Sequence, residues 1–370
     1  MRVLILYVSV GTGHMKAAEA LKESIERQFS GWSVDILDTL KYINPIIDKI
    51  VVSSYLGALK RSPGLYSRLY TASGTGTGIY DISKAMNKLL SFKLNSLIAD
   101  YGPSAVVCTH PFPMQMLSSL KEKNKINIPT IAILTDYVVH SLWLDSGMDA
   151  FIVANDLMKS EMIQRGIPEN IIFPYGIPVS PKFLTRVDKK KLKLELGLED
   201  KFTVLVMGGG MGFGNIDNTM ASLLDCDIDI QIIAVTGTNQ KLKTQLEISA
   251  VKSNKKVLIL SYTDKINELM DISDLLITKP GGMTISEALV KGLPIFINSP
   301  IPGQEEGNAN FLIRSGVANK IEDSEQLISV LSQVANDPVT LRIMRENSKL
   351  WGKPHSAADI ATLLGKLVLG

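Results

Sequence analysis

Residues 275–289 set tight limits on the fold. A short apolar run, Leu275 to Ile277, leads through Thr278-Lys279-Pro280 into the paired glycines Gly281 and Gly282, and a helical pattern begins at Met283 or Thr284. Glycines lack a Cβ, so backbone N–H groups there can come close to a ligand, and the helix N-terminus beyond them carries positive partial charge. Strand, glycine turn and helix make one unit of a parallel sheet, with a place for an anion at the strand end. Glu287 falls about one turn into the helix, where a carboxylate repels phosphate but accepts hydrogen bonds from paired hydroxyls such as those of a ribose. Thr284-x-x-Glu287 also has the form of a capping box, in which both side chains serve only the helix start. These residues alone leave both readings open.

The same unit recurs along the chain. Val3 to Val8 opens through Gly11-Thr12-Gly13-His14 into a helix from Met15 to Phe29, and Trp32 to Leu37 reads as a second strand. Ala105 to Thr109 ends at His110, Thr130 to Thr135 ends at Asp136 with His140 and Trp143 beyond, and Ala150 to Val153 follows. A linker rich in proline and glycine lies between Tyr175 and Phe183. The series then restarts: Phe202 to Met207 into Gly208-Gly209-Gly210-Met211-Gly212, Ile230 to Val235 into Thr236-Gly237, Val257 to Leu260 into Ser261-Tyr262-Thr263, and Pro294 to Asn298 into Gln304, Glu305 and Asn308. This pattern predicts an α/β protein with one domain over 1–178, a second over 179–350, and a C-terminal helix, 351–370, packing back on the first. Ligands of open α/β sheets bind at the carboxyl ends of strands, so His14, His110, Asp136 and His140 are expected to share a crevice. The Gly11-Thr12-Gly13-His14 turn lacks the full dinucleotide fingerprint, and no Gly-Lys-Ser/Thr follows the loop from Gly208, which disfavours hydrolysis of the Walker type.

Composition narrows the function. With 370 residues, 45% hydrophobic and 21% charged, the chain is an ordinary globular protein, and a net charge of +2 argues against a nucleic-acid binder that works by bulk charge. Cys108 and Cys226 stand far apart, which disfavours a disulfide framework or a zinc site and suits a reducing cytoplasm. No segment approaches the ~18 apolar residues of a membrane span. Residues 41–93 carry eight basic side chains, Lys60 and Arg61 among them, against Asp48 and Asp81, a net +6 interleaved with apolar residues. Such a stretch suits a surface that dips into anionic lipid headgroups; the competing reading is a core-packed helix with a solvated rim.

Several motifs together carry a resemblance: Gly11-x-Gly13-His14-x-x-Ala17-Ala18, Thr135-Asp136 with His140 and Trp143, Tyr175-Gly176-Ile177-Pro178-Val179, the 208–212 loop, the 275–288 stretch, and Pro302-Gly303-Gln304-Glu305-x-x-Asn308-Ala309. Over nearly its whole length the chain resembles the monogalactosyldiacylglycerol synthase and processive diacylglycerol glucosyltransferase family, within glycosyltransferase family 28 and related to the peptidoglycan lipid-linked N-acetylglucosaminyltransferases. The resemblance implies the GT-B architecture, two Rossmann-like domains facing across a cleft, the first for a lipid acceptor and the second for a UDP-sugar. It implies inverting transfer of a hexose, glucose in preference to galactose, from the UDP-sugar to diacylglycerol at the cytoplasmic membrane face, with no metal and no further cofactor.

By the same resemblance His14 is the base, and Asp136 shares or orients that role. The donor is held by Gly208, Gly209, Gly210, Met211, Gly212, Thr236, Gly237, Lys279, Gly281, Gly282, Thr284 and Asn308, with Tyr262 and Thr263 by the uracil, Glu287 on the ribose, and Gln304 and Glu305 on sugar hydroxyls. Gly11, Gly13, Lys60, Arg61, His110, His140 and Trp143 serve the acceptor and the membrane. Expected partners are a UDP-hexose, diacylglycerol and anionic lipids, and no nucleic acid. Three rival functions remain: an N-acetylglucosaminyltransferase acting on a polyprenyl-linked acceptor, a UDP-sugar epimerase, and a non-catalytic UDP-sugar sensor.

Overall fold

The computed structural model describes residues 1–46, 48–49, 79–145, 147–212, 214–301 and 303–370, with the backbone alone over 79–89. The chain divides into two compact units. One comprises Met1–Pro181, Pro302–Gln304 and His355–Gly370, the other Lys182–Ile301 and Glu305–Pro354.

The first unit is built on a six-stranded sheet of β1 (Arg2–Tyr7), β2 (Ser33–Asp38), β3 (Ala105–Cys108), β4 (Thr130–Ile133), β5 (Ala150–Ile152) and β6 (Ile172–Phe173). The strands are parallel and run in the order β2-β1-β3-β4-β5-β6. Every residue of β3, β4 and β5 is buried, as expected of parallel strands covered by helices on both faces. The connecting helices are α1 (Gly13–Gln28), α2 (Thr39–Ile43), α3 (Ile79–Tyr101), α4 (Pro111–Glu122) and α5 (Asp156–Gln164). The chain leaves β1 for β2 on one side and returns to β3 on the other, so the switch point lies between β1 and β3.

The second unit repeats the architecture with β7 (Thr203–Met207), β8 (Gln231–Val235), β9 (Val257–Leu260), β10 (Leu275–Thr278), β11 (Ile295–Asn298) and β12 (Ala318–Ile321). The order is β12-β11-β10-β7-β8-β9, again all parallel. Its helices are α6 (Lys189–Glu195), α7 (Ile216–Asp225), α8 (Gln240–Ala250), α9 (Ile266–Ile272), α10 (Gly282–Lys291), α11 (Gln304–Arg314), α12 (Ser324–Asn336) and α13 (Pro338–Trp351). Here the switch point falls between β7 and β10, the strand order of a dinucleotide-binding fold.

The last helix, α14 (Ser356–Leu369), returns to the first unit. Ile360, Ala361 and Leu364 join one core with Val3, Ile5, Leu21 and Ile25. Gly365 lets its backbone lie on the Phe29 ring, since a Cβ there would stand 2.6 Å from Cζ of Phe29.

One ionic cluster fixes the back of the second unit. Lys291 ends α10, and its ammonium, with a side chain 0% exposed, donates to Asp271 Oδ2 at 2.7 Å and to the Thr185 carbonyl at 2.7 Å. Arg186 meets Asp271 Oδ1 at 2.8 Å and donates to the carbonyls of Val290 and Lys291, the exposed end of the α10 dipole. Burial pushes the Lys291 ammonium below its ordinary range, and the Asp271 charge resists that shift. Removing one partner of a buried pair strands the other, at about 3–5 kcal/mol. Lys291→Met should therefore lower the melting midpoint of the second unit sharply in calorimetry, and adding Asp271→Leu should recover part of the loss. An unchanged midpoint in the single variant would show that the cluster is energetically idle.

Candidate functional site

The parallel order of the first sheet places the ends of β1, β3 and β4 side by side, and three polar segments meet there. His14, in the first turn of α1, lies with Nδ1 2.6 Å from the carbonyl oxygen of Thr109 and 3.0 Å from the hydroxyl of Thr135. The Thr109 hydroxyl in turn donates to the His14 carbonyl at 3.0 Å. A carbonyl oxygen can only accept, so Nδ1 of His14 carries the proton and Nε2 is left with the lone pair. Burial lowers the His14 pKa to about 4 against the opposing bond to Thr109, so the ring is neutral at ordinary pH. His110 lies against it, ring centroids 4.6 Å apart and edge to face. Asp136 follows Thr135 directly and is partly exposed.

The second site is at the switch point of the other unit. Gly209 and Gly214 lie against the stem of Lys279: a Cβ on Gly209 would stand 3.6 Å from its Cε, and one on Gly214 3.4 Å from its Cβ. The Lys279 ammonium pairs with Glu305 Oε1, and Glu305 Oε2 accepts from the Ile301 amide at 2.9 Å. Asn308, fully buried on α11, donates to the Pro280 carbonyl at 3.0 Å, which ties that helix to the glycine turn. The loop is also held from β8, because the Thr238 amide donates to the Gly210 carbonyl at 3.0 Å.

Gly281 is the N-cap of α10 and no side chain caps that end. The helix thus starts at Gly282, ahead of the Met283 or Thr284 read from the sequence, because Gly281 takes the extended cap conformation. Thr284 sits inside the first turn and is not the N-cap, which removes the capping-box reading. Gly281, Thr284 and Glu287 are partly exposed at a spacing of three, while the residues between them are buried. They line one face of the helix start.

The other expected residues are placed as follows. Gly11 has a left-handed φ of 78° ahead of α1, and Gly13 is its first residue. His140 caps the short 3₁₀ turn Ser141–Trp143, whose Trp143 is buried. Thr236 is buried at the end of β8, Gly208 and Gly212 are buried, and Met211 is partly exposed. Tyr262 is about half exposed, the Thr263 hydroxyl accepts from the Lys265 amide at 3.2 Å, and Gln304 opens α11. Lys60 and Arg61 lie outside the described residues. Sequence reading missed Thr109 and Thr135 as the groups that orient His14, although each directly precedes a residue it singled out.

A family model for monogalactosyldiacylglycerol synthase matches residues 14–179, and one for the C-terminal domain of glycosyltransferase family 28 matches residues 203–364. The processive diacylglycerol β-glucosyltransferase of Bacillus licheniformis is 30% identical, with 97% of this chain and 93% of that protein covered. The protein of the same name from Staphylococcus carnosus is 30% identical over 93% of this chain and 87% of its own length. Among solved structures, Acinetobacter baumannii MurG superposes with a TM-score of 0.63 at 16% identity, covering 99% of both chains. The UDP-GlcNAc 2-epimerase of Neisseria meningitidis bound to UDP-GlcNAc gives 0.63 at 15% identity, covering 99% of this chain and 100% of that one. At these identities the two structures show a shared fold.

The glycine loop supports a direct test. Gly209 and Gly237 both have a left-handed φ, 67° and 59°, and any other residue there costs about 1–2 kcal/mol. A Cβ on Gly237 would also meet Gly210 C at 2.8 Å and Gly209 O at 2.9 Å, whereas one on Gly209 meets only the Lys279 stem. Gly237→Ala should destabilise the second unit clearly more than Gly209→Ala in denaturant titrations. Equal losses would mean that the loop gives way without resistance.

Proposed function

The chain belongs to the monogalactosyldiacylglycerol synthase family, joined to the C-terminal domain of glycosyltransferase family 28, and on that footing we propose that it moves a glucosyl group from UDP-glucose to the hydroxyl of diacylglycerol. It is a UDP-sugar-dependent glycosyltransferase of the GT-B class that makes glycolipid. The observation that carries the mechanism is the 2.6 Å bond from His14 Nδ1–H to Thr109, which turns a neutral imidazole into a base at Nε2. Nε2 takes the acceptor's hydroxyl proton as the oxygen attacks the anomeric carbon. The bond from that carbon to the UDP oxygen breaks, and UDP leaves with the electron pair, inverting the centre. Asp136, beside Thr135, offsets the imidazolium that forms.

The second unit stabilises the leaving group. The uncapped start of α10, the glycine amides and the Lys279 ammonium suit the pyrophosphate, and Glu287 suits the ribose hydroxyls. Glu305 and Gln304 are assigned to the sugar, with Lys279 holding the Glu305 carboxylate in place.

Purified protein incubated with diacylglycerol vesicles and UDP-glucose should release UDP and form a β-linked glucosyl lipid by mass and linkage analysis. Conversion of the UDP-sugar without lipid would instead mark an epimerase. His14→Ala should fold and keep its UDP affinity while losing ~10²–10⁴-fold in turnover. The pH profile carries a second mark. A base works only when deprotonated, and the folded pKa is near 4 rather than 6.5, so kcat/KM should hold as pH falls through 6.5 and drop as it falls through about 4. An acid limb centred on 6.5 would remove His14 from the role. Stability weakens over the same window, because the unfolded chain takes up the proton first, so folding is monitored alongside.

We further propose that the surface around α2 docks on anionic lipid. Lys41, Tyr42, Ile46 and Lys49 are exposed, Ile46 at 69%, and on α3 the neighbouring Phe92 is 60% exposed. Lys93 joins the two segments by donating to the Ile43 carbonyl at 2.7 Å. No helix among the described residues is long and apolar enough to cross a membrane. Lys41→Glu with Lys49→Glu should weaken sedimentation with anionic vesicles by about 1 kcal/mol per charge removed, with a further loss from the new charges, and leave neutral vesicles nearly unaffected. Equal binding by both proteins would move the docking surface elsewhere.

A further inference from the structure

His110 has no part in the proton transfer described above, yet its imidazole, like that of His14, is fixed by a bond at Nδ1. It is the N-cap of α4, and its Nδ1 accepts from the Phe112 amide at 3.2 Å. An amide N–H can only donate, so Nδ1 of His110 is the unprotonated nitrogen and the ring proton is on Nε2. His14 is fixed the other way round by the Thr109 carbonyl. Two neutral imidazoles with centroids 4.6 Å apart are thereby locked in opposite tautomers, one offering a lone pair at Nε2 and the other an N–H donor at Nε2. Among the described residues no hydrogen bond engages either Nε2.

An ordinary helix cap does not explain the choice of residue. Serine, threonine, aspartate and asparagine cap helices better than an imidazole does. Yet the chain places a histidine at this turn after β3 and uses the same device after β4, where His140 Nδ1 accepts from the Leu142 amide at 3.2 Å. His110 is only 7% exposed as a residue, but its Nε2 is not one of the sealed, unpartnered polar atoms among the described residues, so the N–H keeps access to the surface, where a ligand can meet it. Burial holds its pKa well below the ordinary histidine range, and a charge on His14 lowers it further, so His110 stays neutral and keeps its donor while His14 takes up a proton.

We propose that His110 is a second catalytic residue, whose Nε2–H donates a hydrogen bond to the acceptor hydroxyl oxygen while His14 Nε2 receives that hydroxyl's proton. This rests on the transferase reading above. A hydroxyl oxygen has one proton and two lone pairs. With the proton directed to His14 and one lone pair held by His110, the remaining lone pair has a single direction left, toward the anomeric carbon. The pair therefore selects one rotamer of a primary alcohol that otherwise turns freely, and it steadies the negative charge that grows on the oxygen as its proton departs.

Two near-isosteric variants separate the donor from the cap. The amide of asparagine overlays the Nδ1 side of the ring, so His110→Asn keeps an acceptor for Phe112 and loses the distal donor. Glutamine overlays the Nε2 side, so His110→Gln keeps a distal donor and loses the cap. His110→Asn is expected to melt like the wild type and bind UDP equally well, with lipid-dependent turnover down by about 10²-fold, the typical effect of removing one such donor. His110→Gln is expected to melt lower and to recover part of the turnover. Turnover of His110→Asn within a few-fold of wild type, or the same loss in both variants, would reduce His110 to a cap. Two-bond nitrogen–proton correlation spectra of imidazole-labelled protein read the tautomers without any reaction, and a proton on Nδ1 of His110 would also overturn the assignment. Should the wild type fail to glycosylate diacylglycerol at all, the transferase reading falls and the role of His110 falls with it. A working wild type with an unaffected His110→Asn removes the His110 role alone.

Discussion

In a parallel sheet all strands end at one edge, and where two neighbouring strands send their chains to opposite sides, no crossover covers the gap between their ends. Both units of this chain have such a gap, between β1 and β3 and between β7 and β10. The residues that follow those four strands are the ones with chemistry: His14 after β1, Thr109 and His110 after β3, the 208–214 loop after β7, and Lys279 to Gly282 after β10. They cannot find partners in the sheet, since the ladder has ended. They bond across the gap instead, from His14 to Thr109 in one unit and from the glycine loop around Lys279 in the other.

The two gaps are stabilised differently. Around His14 the bonds to the ring are neutral, made by a threonine hydroxyl and a carbonyl, with the Asp136 carboxylate one residue beyond Thr135. In the second unit the gap is spanned by an ion pair, Lys279 with Glu305, and α10 is pinned at its far end by Lys291, Asp271 and Arg186. A helix gripped at its C-terminus keeps its N-terminal amides in a fixed place, which favours holding an anion without reorganisation.

The alternation of apolar runs with glycine or polar turns made the α/β class legible, because fully buried parallel strands such as β3, β7 and β10 have no polar face to blur the signal. The short edge strands were not legible. β6 is two residues long, and β12 carries Asn319 and Lys320 on an edge that water can reach. The strand-end histidines stood out by position, but their tautomers did not, since these depend on which backbone group each ring meets. His14 meets a carbonyl 95 residues away, and His110 meets an amide two residues on. The ion pair of Lys279 with Glu305 was hidden for the same reason, because its partners are 26 residues apart and are brought together only where α11 meets the turn after β10. Most of the basic stretch over 41–93 lies outside the described residues, so its docking role rests on Lys41 to Lys49 and on Phe92.

With a pKa near 4, His14 would be a weak base in the proposed transfer, and this bears on how the work divides. Such a group is almost wholly deprotonated at neutral pH, so none of it is lost to the wrong protonation state, but it has little power to pull a proton from an alcohol in advance. Proton transfer must then run late, driven by the new bond to the sugar and by departure of the UDP oxygen. In the proposed transfer the barrier accordingly falls most on the leaving group, which the uncapped start of α10 and the Lys279 ammonium, itself paired with Glu305, are there to receive. A stronger base would need a carboxylate bonded to the imidazole N–H itself, where His14 has the Thr109 carbonyl instead. The carbonyl fixes the tautomer without adding charge, and burial lowers the pKa, so in the proposed transfer the weakness of the base follows from the same burial that orients it.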